Sequence, residues 1–201
     1  MGALAPWAAK SIVNVGCGTG FWLPRYARSA HTVIGVETGT SLLAAARART
    51  GAAVVLHGSA EHLPLADGRV DVIHARFAYF FPSATNDCTA GLAEALRVLR
   101  PGGSLIVIDN DHRHGEFAAL LACSSRAGSQ GHDEYIRRWW AQAGAQRHEV
   151  MSSWRFQTPE ELGRVLSMEF GREAVEPWLQ QNPERTELSY GYVLHHLRRG
   201  A

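Results

Sequence analysis

Three glycines in the first tenth of the chain could cradle a nucleotide-like molecule. Residues 11–20 read SIVNVGCGTG, a β-branched run followed by Gly16, Gly18 and Gly20. Such a run predicts a short buried strand that enters a tight turn. Glycines at this spacing let the backbone pass close to a bound molecule where any Cβ would clash. A ligand could then lie against the turn and the N-terminus of the following helix.

An acidic residue follows at the distance that ribose binding requires. Residues 31–37, HTVIGVE, predict a second apolar strand that ends in Glu37. In a βαβ unit an acid roughly 20 residues past the first glycine meets the ribose diol of a bound nucleotide. The third glycine comes one residue earlier than in the dinucleotide motif G-x-G-x-x-G, which argues against a nicotinamide-dependent oxidoreductase. Taken alone, Glu37 could equally be a solvated acid.

Four sequence blocks carry a family resemblance, and together they cover roughly residues 11 to 109. In chain order they are VNVGCGTG, IGVETGTSLLAAAR, GSAEHLPLADGRVDVIHA and LRVLRPGGSLIVID. Their order resembles that of class I S-adenosylmethionine-dependent methyltransferases, in particular methyltransferase type 11/25-like domains. The resemblance implies an α/β fold of the Rossmann-like, doubly wound kind. Its seven-stranded sheet is mostly parallel, with the last strand antiparallel.

The resemblance also implies S-adenosyl-L-methionine as the cofactor. The glycines would shape the loop around the methionine part, Glu37 would hold the ribose hydroxyls, and residues 59–61 would frame the adenine. Asn14 stands where the family usually has an acid, and an amide offers no charge to the methionine ammonium. The full set implied to bind the cofactor is Asn14, Gly16, Cys17, Gly18, Gly20, Glu37, Ser59, Ala60, Glu61 and Ala75.

Three histidines are candidates for a general base, which would help if the acceptor is a hydroxyl or an acidic carbon. His74 ends the predicted fourth strand, while His112 and His114 follow the fifth, at the edge where open parallel sheets bind ligands. The competing interpretation is a packed histidine for His74 and a solvated loop for the other two. The cluster Asp109-Asn110-Asp111-His112-x-His114 resembles the start of a metal site in catechol-type methyltransferases, but these add an acid after strand 4. Arg76 occupies that position here, so no metal is expected.

Aromatic residues directly after the predicted fourth strand suggest an acceptor that is apolar or aromatic: Phe77, Tyr79, Phe80 and Phe81. Few residues precede the first strand, so the segment 111–145 is expected to form a lid or acceptor-binding insertion. It contains a glycine-flanked break at 128–131 that could act as a hinge. It also carries Tyr135, Trp139 and Trp140, although core packing is the alternative for each.

Alternating strands and helices must position these residues. The predicted helices include 19–29, 41–50 and 85–99, the last of them stopped by the Pro-Gly-Gly at 101–103, with strand 3 at 52–57 and strand 5 at 104–109. Thr158-Pro159-x-Glu161 predicts a capped helix start. We treat residues 1–201 as a single methyltransferase domain.

Composition bounds the remaining possibilities. The chain has 201 residues, 46% of them apolar, and a net charge of +1, so no nucleic-acid or membrane partner is expected. Three scattered cysteines and no signal-peptide pattern predict a cytoplasmic protein, either a monomer or a homodimer. The sequence therefore predicts methyl transfer to O, N or C of a small molecule. The alternative is a catalytically silent cofactor-binding subunit or regulatory protein.

Overall fold

The computed structural model describes residues 1–49, 51, 53–128 and 131–200. Seven strands form one sheet in the order β3-β2-β1-β4-β5-β7-β6. The strands are β1 Ser11–Val15, β2 Thr32–Glu37, β3 Val54–His57, β4 Val70–Arg76, β5 Leu99–Asn110, β6 Gln146–Arg155 and β7 Glu187–Arg198. The helices are α1 Leu23–Ala27, α2 Thr40–Arg49, α3 Thr89–Val98, α4 Glu116–Cys123, α5 His132–Gln142, α6 Pro159–Phe170 and α7 Arg172–Gln181.

The first five strands of the chain are parallel, and β7 runs against them. Strand β6 is antiparallel to β7, because the N–H of Phe156, just after β6, donates to the carbonyl of Thr186, just before β7, so β6 has the direction of the first five strands. Gly102 donates to the carbonyl of Arg199, Arg199 donates back to Gly103, and Asp111 donates to Gly191, so residue numbers rise along β5 as they fall along β7. That pattern is antiparallel. The predicted fold class is confirmed.

The chain folds as two compact units. Unit 1 comprises Met1–Ile108, Tyr135–Arg147 and Leu194–Ala201, and unit 2 comprises Asp109–Glu134 and His148–Val193. The core of unit 1 forms around β1, β4 and β5, whose residues are buried on both faces as parallel strands require. The core of unit 2 forms around Phe117, Leu162, Leu166 and Leu188.

Several predicted element boundaries were wrong, and two of them bear on the ligand site. The helix predicted at 19–29 spans only Leu23–Ala27, because the residues from 18 to 22 form turns and a bend. Five residues give no N-terminus of the kind that attracts a ligand, so the expectation that one lies against this helix is not supported. Strand β5 begins at Leu99 instead of 104, because Gly102 and Gly103 hydrogen-bond with Arg199 and extend the strand through a register shift.

Other boundaries agree more closely. The helix α6 begins as predicted: the Thr158 hydroxyl accepts a hydrogen bond from the N–H of Glu161, and Pro159 occupies the first turn. The predicted positions Thr50 and Ala52, and the central pair of the predicted hinge, Ser129 and Gln130, lie outside the described residues. Among the described residues, every helix is too short or too polar to span a bilayer.

Candidate functional site

A cavity of about 490 Å³ opens in unit 1 where four parallel strands end. Val15 ends β1, Glu37 ends β2, Gly58 follows β3 and Phe77 follows β4. Carboxyl ends of parallel strands are where open α/β sheets bind ligands, and this volume is in the range of small-molecule sites. We call this space the first cavity. Its lining consists of Val15, Gly16, Gly18, Val36, Glu37, Thr38, Gly58, Ser59, Ala60, Glu61, Phe77, Ala78 and Tyr79.

Glu37 connects the glycine loop (residues 16–20) to the end of β2. Its Oε2 accepts a hydrogen bond from the N–H of Gly18 at 2.8 Å. Its Oε1 accepts from the N–H groups of Thr38 and Gly39 at 2.9 Å each. Among the described residues Oε2 takes part in this single hydrogen bond, so a lone pair remains for a hydroxyl in the cavity.

The same hydrogen bonds keep Glu37 ionised. Burial alone would raise the pKa of this carboxyl, but the N–H donors of Gly39, Gly18 and Thr38 outweigh it and hold the pKa below its usual value. A negative charge thus faces the cavity at neutral pH.

The three glycines of the loop have three different reasons to lack a side chain. All have positive φ, at +65°, +56° and +76° for Gly16, Gly18 and Gly20. A Cβ on Gly16 would lie 2.4 Å from the Cβ of Ala78, and one on Gly20 would lie 3.1 Å from the Cα of Ala46. A Cβ on Gly18 would meet nothing within 4 Å. Of the three, Gly18 is therefore the one whose missing side chain leaves open space for a ligand.

Six of the ten predicted cofactor residues line the first cavity: Gly16, Gly18, Glu37, Ser59, Ala60 and Glu61. The other four do not. Gly20 packs on α2, and Ala75 is fully buried. The Cys17 sulfur faces Gly35, and burial, with help from the Glu37 charge, raises the pKa of this thiol to about 11.

Asn14 lies inside the sheet instead of beside the cavity. It is buried, and its Nδ2 donates to the carbonyl of His74 at 3.2 Å, which ties β1 to β4. Only the neighbouring Val15 reaches the cavity, because successive side chains of a strand point to opposite faces.

Sequence reasoning did not assign the segment 77–79 to the cofactor. Phe77, Ala78 and Tyr79 form one wall of the first cavity, and Phe77 and Tyr79 have positive φ, at +48° and +58°. Non-glycine residues in this region are uncommon and cluster at functional sites. The available signal was position, since the segment directly follows the carboxyl end of β4.

His74 is packed in the interior of unit 1. It is fully buried, its Nδ1 is 3.1 Å from the Tyr26 hydroxyl, and its ring lies edge-on to Trp7 at 5.5 Å. Burial, followed by the charges of the N-terminus and Arg76, lowers the pKa of this imidazole to about 3. The ring of His74 lies outside the cavity lining and stays neutral. Both observations fit the packing interpretation and give no support to the predicted role of general base.

The other two histidines belong to unit 2. The rings of His112 and His132 pack edge-on with centroids 5.9 Å apart, and both residues line a second cavity of about 340 Å³. The lining also includes the apolar residues Ala118, Leu121, Ala122 and Ala127 and the charged residues Arg113, Asp133 and Glu134.

His114 lies outside the lining of this second cavity. Its Nδ1 is hydrogen-bonded to Asp111 Oδ2 at 2.8 Å, and among the described residues these two and Glu149 bring ligand-type atoms within 4.8 Å of one another. Both Asp111 oxygens accept hydrogen bonds, one from His114 and one from the N–H of Arg113, which accounts for this cluster without an ion.

The predicted aromatic wall of the acceptor site is wrong for Trp140. This side chain is 1% exposed, stacks on His195 at 4.7 Å and belongs to the core of unit 1. Its position on the apolar face of α5 puts it toward the sheet, as helical periodicity dictates. Trp139 is half-buried and Tyr135 is exposed.

Comparison with known proteins agrees with this geometry. The sequence model of the family described as methyltransferase domain matches residues 13–107, which include every residue that lines the first cavity. The part of the chain that contains the first cavity is thus similar to a methyltransferase domain. An uncharacterized methyltransferase of Mycobacterium tuberculosis is 33% identical over 132 residues, which are 65% of this chain and 53% of that protein.

Two further proteins match this chain. Malonyl-[acyl-carrier protein] O-methyltransferase of Yersinia pestis is 29% identical over 137 residues, 68% of this chain and 43% of that protein. The chain thus spans about half the length of the curated relatives it matches. The crystal structure of a Bacillus halodurans C-125 protein named as a methyltransferase superposes with a TM-score of 0.67 at 18% identity. It covers 99% of this chain and 96% of that one, which shows the shared fold.

Proposed function

We propose that this protein transfers the methyl group of S-adenosyl-L-methionine to a small-molecule acceptor. The observation that carries the proposal is Glu37, which is ionised at the end of β2, faces the first cavity and is bound to the N–H of Gly18. A carboxylate in that position suits a ribose diol, and the methyltransferase family uses this cofactor.

The residues that line the first cavity fit the three parts of the cofactor. Glu37 would accept hydrogen bonds from the ribose hydroxyls through the remaining lone pair of Oε2. Gly18 offers the methionine part open space at the loop. Residues 59–61 form the wall assigned to the adenine, with apolar Val36 among the neighbouring lining residues.

The bound cofactor supplies an electrophilic methyl group on a sulfonium. The protein must therefore bind and orient the reactants and exclude water, and it need not supply strong acid–base chemistry. The fixed loop performs the first task, since Glu37 holds Gly18, Thr38 and Gly39 in one geometry. Buried Asn14 offers the methionine ammonium no charge, so we expect Glu37 to contribute much of the binding free energy.

For the acceptor, we propose only a region of the chain and a chemical class. The second cavity lies wholly within residues 112–134, inside the segment predicted to bind the acceptor. Its lining combines apolar side chains with histidines and charged groups, which would suit a small, partly apolar molecule that carries a polar group. Among the three predicted bases, His112 is the one that reaches this lining, and we propose it as the residue to test first.

Isothermal titration with S-adenosylmethionine and S-adenosylhomocysteine tests the cofactor proposal. We expect saturable 1:1 binding of each, lost together in a variant such as Glu37→Ala. Titration with NAD should give no heat of binding. A screen of candidate acceptors for formation of S-adenosylhomocysteine then tests turnover. Binding without turnover on any acceptor class would support the silent cofactor-binding protein, whereas absence of binding would overturn the cofactor proposal itself.

A further inference from the structure

Tyr79 connects the cavity wall to the start of helix α3. Its hydroxyl accepts a hydrogen bond from the N–H of Gly91 at 3.1 Å and donates one to Oε1 of Glu61 at 3.1 Å. Glu61 and Tyr79 both line the first cavity. One hydroxyl therefore fixes the position of a carboxylate that faces the ligand space.

The hydroxyl also satisfies a backbone N–H group at the start of helix α3. Gly91 is in the first turn of α3, where backbone N–H groups lack partners within the helix. The N-cap residue Cys88 makes no side-chain cap hydrogen bond, so the Tyr79 hydroxyl takes one of these N–H groups. A backbone donor on one side leaves the hydroxyl proton for the carboxylate on the other.

Several contacts hold Tyr79 where it is in spite of its φ of +58°. Its carbonyl accepts from the N–H of Phe81 at 2.8 Å, and its ring packs edge-on against buried Phe80 at 5.0 Å. A Cβ on Gly91 would lie 2.1 Å from the Tyr79 ring, so the absence of a side chain there makes room for the ring. Such an arrangement, strained in the backbone and fixed by its surroundings, is typical of functional sites.

The hydroxyl keeps its proton under ordinary conditions. Burial is the main cause that raises the pKa of Tyr79 to about 12, and the neighbouring Glu61 carboxylate adds to it. The direction of the hydrogen bond is thereby set: Tyr79 donates and Glu61 accepts.

We propose that Tyr79 is a positioning residue that orients the Glu61 carboxylate as an acceptor for the exocyclic amine of adenine. This inference rests on the proposed function, because it assigns the Glu61 side of the first cavity to the adenine. An oriented carboxylate accepts from a 6-amino group and repels the carbonyl oxygen of a 6-oxo purine. Glu61 held by Tyr79 would thus select an aminopurine over its deaminated counterpart.

The test compares two probes, S-adenosylhomocysteine and S-inosylhomocysteine, which differ at the 6-position of the purine. Dissociation constants for both are measured by isothermal titration on the full chain. We expect wild type to prefer S-adenosylhomocysteine, and Tyr79→Phe to lower that preference about fivefold to tenfold. This is less than the full value of a hydrogen bond to a charged group, because the Glu61 carboxylate itself remains and loses only its orientation. In a Glu61→Gln background, whose amide can present either an oxygen or an NH₂ group, Tyr79→Phe should not change the preference further.

Tyr26→Phe is the matched control, because it also removes a hydrogen-bonded tyrosine hydroxyl but lies outside the cavity lining. It should leave the preference unchanged even if it lowers stability. The inference would be overturned if Tyr79→Phe weakened the binding of both probes equally. It would also be overturned if the wild type bound S-adenosylhomocysteine but did not prefer it over S-inosylhomocysteine. Neither result would contradict the cofactor site itself. Failure of wild type to bind S-adenosylhomocysteine at all would overturn the proposed function as well.

Discussion

Glu37 shows how one side chain both builds a loop and faces a ligand. Its carboxylate accepts three backbone hydrogen bonds, including one from Gly18, while it lines the first cavity. Loss of the charge therefore removes a ligand contact and loosens the loop. The two effects can be separated by the choice of replacement.

We predict that Glu37→Gln weakens S-adenosylhomocysteine binding roughly tenfold to a hundredfold, as expected for lost hydrogen bonds to a charged group. Glu37→Ala should weaken it further, because the N–H groups of Gly18, Thr38 and Gly39 also lose their acceptor. Titration calorimetry measures the dissociation constants of both variants. The control is Glu187→Gln, which neutralises a surface carboxylate that is paired with Arg155 in unit 2. Unchanged affinity in Glu37→Ala would refute the assignment of this carboxylate.

The glycine loop predicts a contrast between two alanine substitutions. Gly16→Ala should destabilise the fold by roughly 2–4 kcal/mol, because the new Cβ collides with Ala78 and φ is positive. Gly18→Ala should cost only about 1 kcal/mol, from its φ alone, but should weaken cofactor binding. Urea unfolding and calorimetry measure the two quantities.

A double variant serves as the control for this contrast. Ala78→Gly removes the atom that the new Cβ would meet, so Gly16→Ala/Ala78→Gly should be less destabilised than the sum of its single changes. Strict additivity would show that the short distance at Gly16 is not the source of the instability.

At the level of helices and strands, the chain signals most of its boundaries locally. Helix α6 begins at its Thr-Pro-x-Glu signature because the signature itself supplies the cap. Helix α3 begins later than predicted, at Thr89, and the N–H of its Gly91 is satisfied by Tyr79, twelve residues earlier in the chain. A cap supplied from another element has no local signature.

We predict that Thr158→Ala lowers the free energy of unfolding by about 1 kcal/mol, the usual cost of a lost N-cap hydrogen bond. Thr158→Ser keeps the hydroxyl that accepts from Glu161 and should stay close to wild type. Urea titration of the three proteins provides the comparison. Equal stability of the alanine and serine variants would mean that the cap contributes nothing to stability.

Over the whole chain, two buried histidines contribute to the loss of stability in acid. His195 stacks on Trp140 in the core of unit 1, and burial, with a contribution from Arg147, lowers the pKa of this imidazole to about 3. The pKa of His74 is similarly lowered. An unfolded histidine with a pKa near 6.5 binds a proton that the folded one refuses, so acid favours the unfolded chain between about pH 6.5 and pH 3.

We predict that stability falls as pH drops below about 6.5, with a slope of up to about 1.4 kcal/mol per pH unit for each buried histidine. His195→Phe should reduce that slope by the contribution of one buried histidine. His31→Phe changes a histidine at the surface and should leave the slope unchanged. Urea unfolding at several pH values gives the slopes. An unaltered slope in His195→Phe would show that this ring titrates normally in the folded protein.

The prediction that residues 111–145 form a lid remains a prediction. Amide hydrogen exchange with and without S-adenosylhomocysteine provides a test. Slower exchange is expected in the cavity segments 16–18, 37–38, 58–61 and 77–79. Slower exchange in 111–145 as well, when an acceptor is added together with S-adenosylhomocysteine, would support a lid over the acceptor site, and unchanged exchange there would contradict it.

The alternation of strands and helices, the glycine loop and the acid at Glu37 could be predicted from the amino-acid sequence, because apolar runs, glycine spacing and a strand-end acid are local patterns with local physical causes. The burial of His74, the core position of Trp140 and the hydrogen bond between Tyr79 and Gly91 could not. Each depends on which residues of distant segments meet, such as Tyr26 with His74, Trp140 with His195 and Tyr79 with Gly91. Long-range packing, which no local pattern records, decided which candidates face the cavity and which are part of the core.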